Sequence, residues 1–206
     1  MSLIFYYAPM STASVTSLVL EELELKCEKI RVDLKKNETR TPEHLKLNPN
    51  GKVPLLVHDG TPLWESAAIT MYLGELFGVE KGLYPAPGPK RGEAMKWIVW
   101  ANVTLVEAVV RWAANTQGWW PEEQRNAKAG EAGKADMHGC LKILDSALAD
   151  RAFLLHEYSL ADTHLHSFMD WLRHMNVDFA PYENLNRWGE KCSSRPAYTR
   201  LMAQQG

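Results

Sequence analysis

The chain has 206 residues, a formal net charge of −2 and 46% hydrophobic residues. This length suits one large domain or two small ones, and the apolar fraction is sufficient for a packed core. The small net charge leaves no basic footprint, so we predict neither nucleic acid nor a membrane surface as a partner. No uninterrupted apolar run reaches about 18 residues, which is further reason to predict no membrane-spanning helix.

The cysteines and the first residues indicate a cellular compartment. Three cysteines stand far apart, at positions 27, 140 and 192, with no CxxC pair. This odd, scattered set argues against a disulfide framework and against a zinc site, so we predict no metal. The first residues, MSLIFYYAP, lack a basic flank and include a proline, so we predict no signal peptide. Together these features predict a cytoplasmic protein.

A strand and a helix are predicted first in the chain. The apolar, aromatic run Leu3–Tyr7 predicts a buried strand. A helical pattern of apolar residues follows, and the hydroxyls of Ser11, Thr12 and Ser14 precede it as candidate caps. Either they only cap the helix, or one of them donates to an anion at its N-terminus. If that anion is a thiolate, the hydroxyl and the helix dipole would together lower the thiol pKa.

A second strand and a short helix come next. Residues 28–34 alternate apolar and polar side chains, which predicts a half-buried strand. A strand–helix–strand unit this short implies a parallel pair joined by a right-handed crossover. Residues 42–47 predict a short helix capped by Thr41, with His44 on its surface.

A hairpin and a third helix are predicted over residues 48–73, NPNGKVPLLVHDGTPLWESAAITMYL. The initial residues NPNG are typical of a turn. The run VPLLV predicts a strand, and the DG pair after it predicts a tight turn into a second strand, PLW. Glu65 and Ser66 then open a segment whose apolar residues have helical spacing.

This stretch also predicts a peptide-binding edge. Pro54 cannot donate to a strand ladder, so main-chain groups around Val53 are left for an added peptide strand. At the next helix start, unpaired N–H groups favour a carboxylate. Ser66 offers a donor there, and Glu65 offers a counter-charge for an ammonium group. The alternative is a hairpin followed by a helix that Ser66 merely caps.

The second half of the chain predicts only helices. Residues 79–90 are rich in proline and glycine and predict a linker between residues 1–78 and a helical region, 91–206. The first long helix of that region carries apolar residues on two sides, so it should pack on two sides. Asn102 interrupts one apolar stripe, and we predict a satisfied core amide there rather than a site residue.

Later helices carry further signals. Glu107 and Arg111 have the spacing of a helical ion pair. Ser159 and Asp162 have the capping-box layout S-x-x-D. The two histidines that follow, at 164 and 166, point to different faces of a helix, so we predict no shared metal.

Several of these motifs resemble one known family. The string NPNGKVP, its DG turn and ESAAITMYL closely resemble the glutathione-binding segment of the glutathione S-transferases. The turn YYAPMST resembles, more loosely, YYxPxxCS of the bacterial beta-type members, with Thr12 in place of their cysteine. The SLAD box and the closing RPA are also similar to that family. The chain therefore resembles the cytosolic glutathione S-transferases of bacteria. Within them it is most similar to beta- or theta-like members, with Ser or Thr at the thiol site.

The resemblance implies a fold and an activity. The expected fold is an α/β thioredoxin-like N-terminal domain followed by an all-α C-terminal helical bundle. The expected activity is attack by the thiol of glutathione, a co-substrate, on a small hydrophobic electrophile, in a homodimer that serves detoxification. The implied site has Ser11 or Thr12, then Tyr6, beside the thiolate, Lys52 near the glycine carboxylate, Val53 and Pro54 along the cysteinyl unit, and Glu65 and Ser66 at the γ-glutamyl head.

Two other functions stay open from the sequence. Some relatives keep the fold as a non-catalytic binding or assembly module. A glutathione-dependent disulfide reductase is the other, in which glutathione would supply both sulfurs because no cysteine stands at the first helix start. Nothing in the sequence identifies the electrophile.

Overall fold

A four-stranded mixed sheet forms the first part of the structure, a computed structural model that describes residues 2–204. Strand β1 pairs in parallel with β2 and antiparallel with β3, and β3 pairs antiparallel with β4, giving the order β2-β1-β3-β4. The predicted strand–helix–strand unit followed by a hairpin and helix is therefore confirmed. The strands are β1 Leu3–Tyr7, β2 Glu28–Arg31, β3 Leu55–His58 and β4 Thr61–Trp64.

Three α-helices belong to this sheet, namely α1 Ala13–Glu22, α2 Pro42–Leu47 and α3 Ser66–Leu73. Successive side chains of a strand point to opposite faces of the sheet, so Phe5 and Tyr6 face different layers. Phe5 is fully buried, whereas the ring of Tyr6 meets His44 of α2 edge-on at 5.8 Å between centroids. The α2 helix therefore lies on the Tyr6 face of the sheet.

The rest of the described chain is helical, as predicted, so the thioredoxin-like domain followed by a helical bundle is confirmed. Helix α4 begins at Pro89, inside the stretch predicted as a linker, and the division after residue 78 stays a prediction. A π-helical turn, Ala101–Leu105, joins α4 to α5. The helices are α4 Pro89–Trp100, α5 Val106–Thr116, α6 Ala127–Ala147, α7 Leu160–His174, α8 Glu183–Ser193 and α9 Pro196–Ala203.

The helical segment from Pro89 to Thr116 is continuous and 28 residues long. Within residues 2–204 it is the one helix whose length and composition would allow it to cross a membrane. Half of its most apolar window is buried against the rest of the protein, which is also the behaviour of a core helix. Its apolar character is thus divided between an inner side and an exposed side.

Three local predictions are wrong, each because of a contact. Strand β2 ends at Arg31 rather than at residue 34, because the carboxylate of Asp33 accepts main-chain N–H bonds from Lys35 and Lys36 and turns the chain. His44 is buried rather than on the surface, because its ring bonds a loop carbonyl. Arg111 pairs with Asp136 on α6 instead of with a neighbour on its own helix.

A partly buried ion pair joins the first helix to the residue just before the last helix. Glu22 of α1 is 7% exposed and receives two bonds of 2.7 Å from the guanidinium of Arg195. The hydroxyl of Tyr158 donates to the same carboxylate at 2.8 Å, and its ring lies under that guanidinium. Nearer the N-terminus of α1, Ser14 and Ser167 share a hydrogen bond of 3.1 Å. These contacts hold α1 in place against the helical bundle.

A glycine sets the spacing between α5 and α6. A Cβ atom added at Gly133 would lie 2.6 Å from the main-chain nitrogen of Trp112. Replacing Gly133 with alanine must therefore push the two helices apart, and we expect a loss of about 1–3 kcal/mol in the free energy of unfolding. Gly139→Ala on the same helix is the matched control, because nothing lies within 4 Å of its added Cβ. We expect that variant to gain up to about 1 kcal/mol, as helix propensity requires.

Urea unfolding of the two glycine variants measures this difference directly. The midpoint should fall for Gly133→Ala and stay or rise for Gly139→Ala. Equal midpoints for the two variants would show that α5 and α6 are not in close contact at this position.

Candidate active site

In the turn between β1 and α1, the hydroxyls of Ser11 and Thr12 have different bonding partners. Ser11 Oγ donates to the Ala8 carbonyl at 2.7 Å and accepts from the Ala13 N–H at 3.2 Å, so this side chain stabilises the turn. Thr12 is the N-cap residue but makes no capping bond with its side chain. Its hydroxyl instead lies 3.3 Å from the carbonyl oxygen of Val53. The fold therefore brings Thr12, and not Ser11, against the predicted peptide-binding main chain.

Main-chain donors are left without acceptors at this point. Among residues 2–204, neither the N–H of Thr12 nor that of Val53 has an acceptor. Strand β3 starts only at Leu55, and the peptide bond between Val53 and Pro54 is cis. An N–H, a carbonyl and a hydroxyl thus converge where the sequence predicts an added strand.

Side chains of neighbouring residues fix the main chain of the loop before Val53. The carbonyl of Lys52 accepts a bond of 2.9 Å from the amide of Asn48 and lies 3.1 Å from Nε2 of His44. This is the role of the buried His44 that the sequence did not reveal. The Lys52 side chain itself is exposed and has no ion pair within residues 2–204. The side chain of Arg40 lies on Gly51, 2.8 Å from the position of an added Cβ, so two cations flank this loop.

The start of α3 carries the predicted acidic and hydroxyl pair. Glu65 has φ = 72°, a conformation that costs a non-glycine residue about 1–3 kcal/mol and is typical of functional sites. Its carboxylate is exposed and has no partner in the part of the chain that the structure describes. Ser66 is 2% exposed and begins α3, whose first amides have no acceptor within the helix. A helix start of this kind favours an anion, and here it stands beside a free carboxylate.

Asn102 reaches this helix start from the other half of the molecule. Its Nδ2 donates to Ser66 Oγ at 2.9 Å, and its Oδ1 lies 2.7 Å from Nε2 of His164. We predicted a satisfied core amide at Asn102, and the amide is indeed satisfied, but one of its partners is a candidate site residue. The one signal in the sequence was a polar residue within an apolar helical stripe.

Tyr6 is placed less favourably than the hydroxyls at the start of α1. It lies on the face of the sheet covered by α2, where its ring packs against His44. Its phenol makes no hydrogen bond with residues 11–14. The structure therefore gathers Thr12, Val53 and Pro54 on one side of the candidate site, with Glu65 and Ser66 at the next helix start.

A cavity of about 530 Å³ opens beside the β1–α1 turn. Its walls are partly apolar and partly hydroxyl-bearing, and Arg31 and Asp170 place charges on them. Trp119 stacks on Trp171, a wall residue, with 5.5 Å between ring centroids. Six further residues that line the cavity are Met10, Ser11, Ser14, Tyr198, Leu201 and Met202.

The cysteines take no part in this arrangement. Cys27 precedes β2, Cys140 lies on α6 and Cys192 on α8, so none stands at the start of α1. Burial raises the pKa of each of these thiols, which disfavours the thiolate. No group of three or more His, Cys, Asp or Glu side chains suited to a metal ion occurs in residues 2–204.

Comparison with known proteins agrees with the fold. Residues 1–75 match the glutathione S-transferase N-terminal domain, and residues 101–196 match the glutathione S-transferase C-terminal domain. Glutathione S-transferase GstB of Escherichia coli is 34% identical over 90% of this chain and 89% of its own length. Disulfide-bond oxidoreductase YfcG of the same species is 30% identical, over 98% of this chain and 95% of its own.

A solved structure extends the comparison to three dimensions. Glutathione transferase URE2P8 from Phanerochaete chrysosporium, determined with oxidized glutathione, superposes with a TM-score of 0.89. It is 25% identical, and the match covers 98% of this chain and 94% of that one. The matched domains and the curated relatives span most of the chain. The chain therefore belongs to the glutathione S-transferase family, a family of enzymes.

Proposed function

We propose that this protein binds reduced glutathione and activates its thiol for attack on a hydrophobic electrophile. The thiol loses its proton to solvent water, the thiolate forms a bond to an electrophilic carbon, and the leaving group takes the electrons of the bond it breaks. The protein contributes position and stabilisation of the anion. The observation that carries this proposal is the approach of the Thr12 hydroxyl to Val53, where two main-chain N–H groups have no acceptor.

The cysteinyl unit of glutathione fits this position. Its main chain would pair with the N–H and carbonyl of Val53 beside Pro54, as an added strand does. Its sulfur would then approach the start of α1, where the N–H of Thr12 can donate to a thiolate, as can the Thr12 hydroxyl once it turns away from the Val53 carbonyl. We propose Thr12 as the thiol-site residue, which makes this a Ser/Thr-type member, beta- or theta-like. Ser11 is less suited because its hydroxyl makes two bonds within the turn, one of them only 2.7 Å long, whereas the Thr12 hydroxyl makes a single long bond of 3.3 Å to Val53.

The two ends of glutathione match the charges on either side. The γ-glutamyl ammonium would pair with the free carboxylate of Glu65, and the γ-glutamyl carboxylate would take the Ser66 hydroxyl and the first amides of α3. At the other end, Lys52 stands in the loop before Val53 and the Arg40 side chain lies against Gly51 of the same loop, and we propose that these two cations hold the glycine carboxylate. Each charge of the tripeptide thus has a protein group of opposite sign or a donor.

The electrophile would occupy the cavity beside the β1–α1 turn. Its volume of about 530 Å³ lies within the range of small-molecule sites, about 300–1,000 Å³. Trp171 and Tyr198 offer aromatic walls, and Ser11 and Ser14, neighbours of Thr12 in the sequence, also line the cavity. We place the reaction in the cytoplasm, as a detoxification step.

Titration calorimetry with reduced glutathione tests the proposal first. We expect saturable binding at millimolar or lower glutathione, followed by conjugation of 1-chloro-2,4-dinitrobenzene in an absorbance assay. A folded protein, shown by circular dichroism, that fails to bind millimolar glutathione would refute the proposed function. Binding without conjugation or disulfide reduction would instead support a non-catalytic module.

Disulfide reduction is a second candidate, which the similarity to YfcG favours. Because no cysteine stands at the start of α1, glutathione would supply both sulfurs. One glutathione thiolate attacks the disulfide and releases one substrate thiolate. A second glutathione thiolate then attacks the mixed disulfide, which forms oxidized glutathione and releases the second substrate thiolate. Reduction of 2-hydroxyethyl disulfide, coupled to glutathione reductase, measures this reaction. The ratio of its rate to the conjugation rate decides between the two chemistries.

We also propose that the protein is a homodimer that uses the exposed side of the long helix. Met95, Val99 and Val103 repeat every four residues on that helix and are exposed, Val103 by 60%. Trp64 on the edge strand β4 is also exposed. An apolar stripe of this kind suits a second copy of the same stripe across a two-fold axis.

Val103→Glu should therefore convert the dimer to a monomer in size-exclusion chromatography with light scattering. Burying a carboxylate in an apolar interface costs several kcal/mol, which explains the expected effect. Ile143→Glu is the matched control, because Ile143 is 53% exposed on α6 and lies outside the stripe. A wild-type protein that runs as a monomer, or a Val103→Glu variant that stays dimeric, would contradict this interface.

A further inference from the structure

A chain of buried hydrogen bonds leads from the helical bundle to the glutathione site. His164 on α7 is fully buried, and its Nδ1 lies 2.9 Å from the hydroxyl of Thr70 on α3. Its Nε2 lies 2.7 Å from Oδ1 of Asn102, and Nδ2 of Asn102 donates to Ser66 Oγ at 2.9 Å. The chain thus begins and ends on α3 and passes through α7 and the turn between α4 and α5.

The chemistry of the four groups sets the direction of each bond. The Asn102 oxygen can only accept, so Nε2 of His164 carries the ring proton. Nδ1 must then accept, so the Thr70 hydroxyl donates to it. Burial lowers the pKa of His164 to about 3, so the ring is neutral at neutral pH and this pattern persists. At the far end, Ser66 Oγ accepts from Asn102, and its own proton is left for another acceptor.

We infer that His164 is a positioning residue, which acts through Asn102 to make Ser66 a committed donor to the γ-glutamyl carboxylate of glutathione. This inference rests on the proposed function, which assigns that carboxylate to Ser66. A serine hydroxyl has one proton to donate and two lone pairs that accept, and here the bond from Asn102 Nδ2 occupies one lone pair while the proton stays available. The arrangement favours an anionic acceptor at this point and disfavours a group that offers only a donor.

A purely structural role makes a different prediction. If His164 only fills and satisfies the core, its loss lowers stability and affects all ligands alike. If it directs Ser66, its loss weakens binding only of ligands that carry the carboxylate. The two roles are separated by comparing glutathione with an analogue in which the γ-glutamyl α-carboxylate is replaced by a carboxamide.

The central variant is His164→Leu, measured by titration calorimetry and steady-state kinetics. We expect the Kd for glutathione to rise about 10- to 100-fold, the range that a hydrogen bond to a charged group supports. The Kd for the carboxamide analogue should change little, and kcat at saturating glutathione should also change little. His164→Gln keeps a donor and an acceptor on the side chain, so it should recover part of the lost affinity.

His166→Leu is the matched control on the same helix. His166 is also buried, but its Nε2 lies 3.0 Å from the hydroxyl of Ser193 and its ring packs on Trp188 and Tyr198. It has no contact with the chain that ends at Ser66. The affinity for glutathione should therefore stay at the wild-type value even if stability falls.

Asn102→Leu provides an independent reading and serves if His164→Leu does not fold. Asn102 is only half-buried, and its loss should reproduce the selective effect on glutathione. Because both residues act through the same chain of hydrogen bonds, the double variant should bind glutathione no more weakly than the more severe single variant. Wild-type affinity in Asn102→Leu, or equal losses for glutathione and the analogue, overturns the inference. Failure of the wild type to bind glutathione would instead refute the proposed function.

Discussion

Replacing Thr12 with valine is expected to lower kcat for conjugation by about 100-fold, the loss that follows removal of one donor to a reacting anion. Valine keeps the shape of threonine but has no hydroxyl to donate to the thiolate. The bond that this hydroxyl makes in the structure is long, 3.3 Å to Val53, so its loss should cost little stability. The affinity for glutathione should also stay close to that of the wild type, because the proposed function assigns the rest of the tripeptide to Val53 and Ser66.

The pH dependence gives the same prediction a second measurement. Without the hydroxyl, the thiolate is less stabilised and the pKa of the bound thiol rises. The profile of kcat/KM for the electrophile, measured against pH at saturating glutathione, should therefore move to higher pH in Thr12→Val. It should return towards the wild-type position in Thr12→Ser.

Ser11→Ala is the matched control at the adjacent position. It removes a hydroxyl that bonds Ala8 and Ala13, so it should lower stability by about 1 kcal/mol, as the loss of a helix cap does. Its kcat and pH profile should stay near those of the wild type. If Ser11→Ala loses activity and Thr12→Val does not, Ser11 is the thiol-site residue. If neither loses activity, Tyr6→Phe is the next variant to measure.

The second large effect is expected at Asp162, on stability rather than activity. This carboxylate is fully buried and accepts four hydrogen bonds, from the N–H groups of Leu154 and Ser159, from the Ser159 hydroxyl and from the Trp188 indole. The bond between Asp162 and the Ser159 N–H is half of the capping box predicted from the sequence, which is confirmed at the start of α7.

Asp162→Ala leaves all of these donors buried without an acceptor. We expect the free energy of unfolding to fall by about 3–5 kcal/mol, because breaking a buried charged network costs far more than losing a surface bond. Urea unfolding at pH 7 measures it. Asp150→Ala is the control, since its carboxylate is 80% exposed and pairs with Arg151 on the surface. Similar unfolding midpoints for the two variants would contradict the network.

The same carboxylate should influence the dependence of stability on pH. Burial raises the pKa of Asp162 to about 6, above its ordinary value of 3.8, although the four bonds act to lower it. A raised folded-state pKa contributes stability that is fully present below pH 3.8 and is lost as pH rises through 6. His164 acts oppositely, because its pKa is lowered to about 3 and its contribution is lost as pH falls below 6.5. Asp162→Asn should therefore steepen the loss of stability on acidification between about pH 6 and pH 4.

Local patterns determined most of the fold and the family. The alternation and turn residues of the first 73 positions predicted the four strands and three helices, because strand and helix periods and tight turns depend on neighbouring residues. The peptide-binding edge at Val53 and the pair at Glu65 and Ser66 were predicted for the same reason, since each lies within one short segment. The capping box at Ser159 likewise spans only four positions.

Contacts between distant residues were decided only by the tertiary structure. The sequence left Ser11 and Thr12 equivalent, and they differ only because Val53, 41 residues away, lies against Thr12. His44 looked like a surface residue until the loop carbonyl of Lys52 was placed against it. The bond between Ser66 and Asn102 spans 36 positions, and the bond between Asn102 and His164 spans 62. No periodic pattern in a sequence shows which side chains meet over such separations.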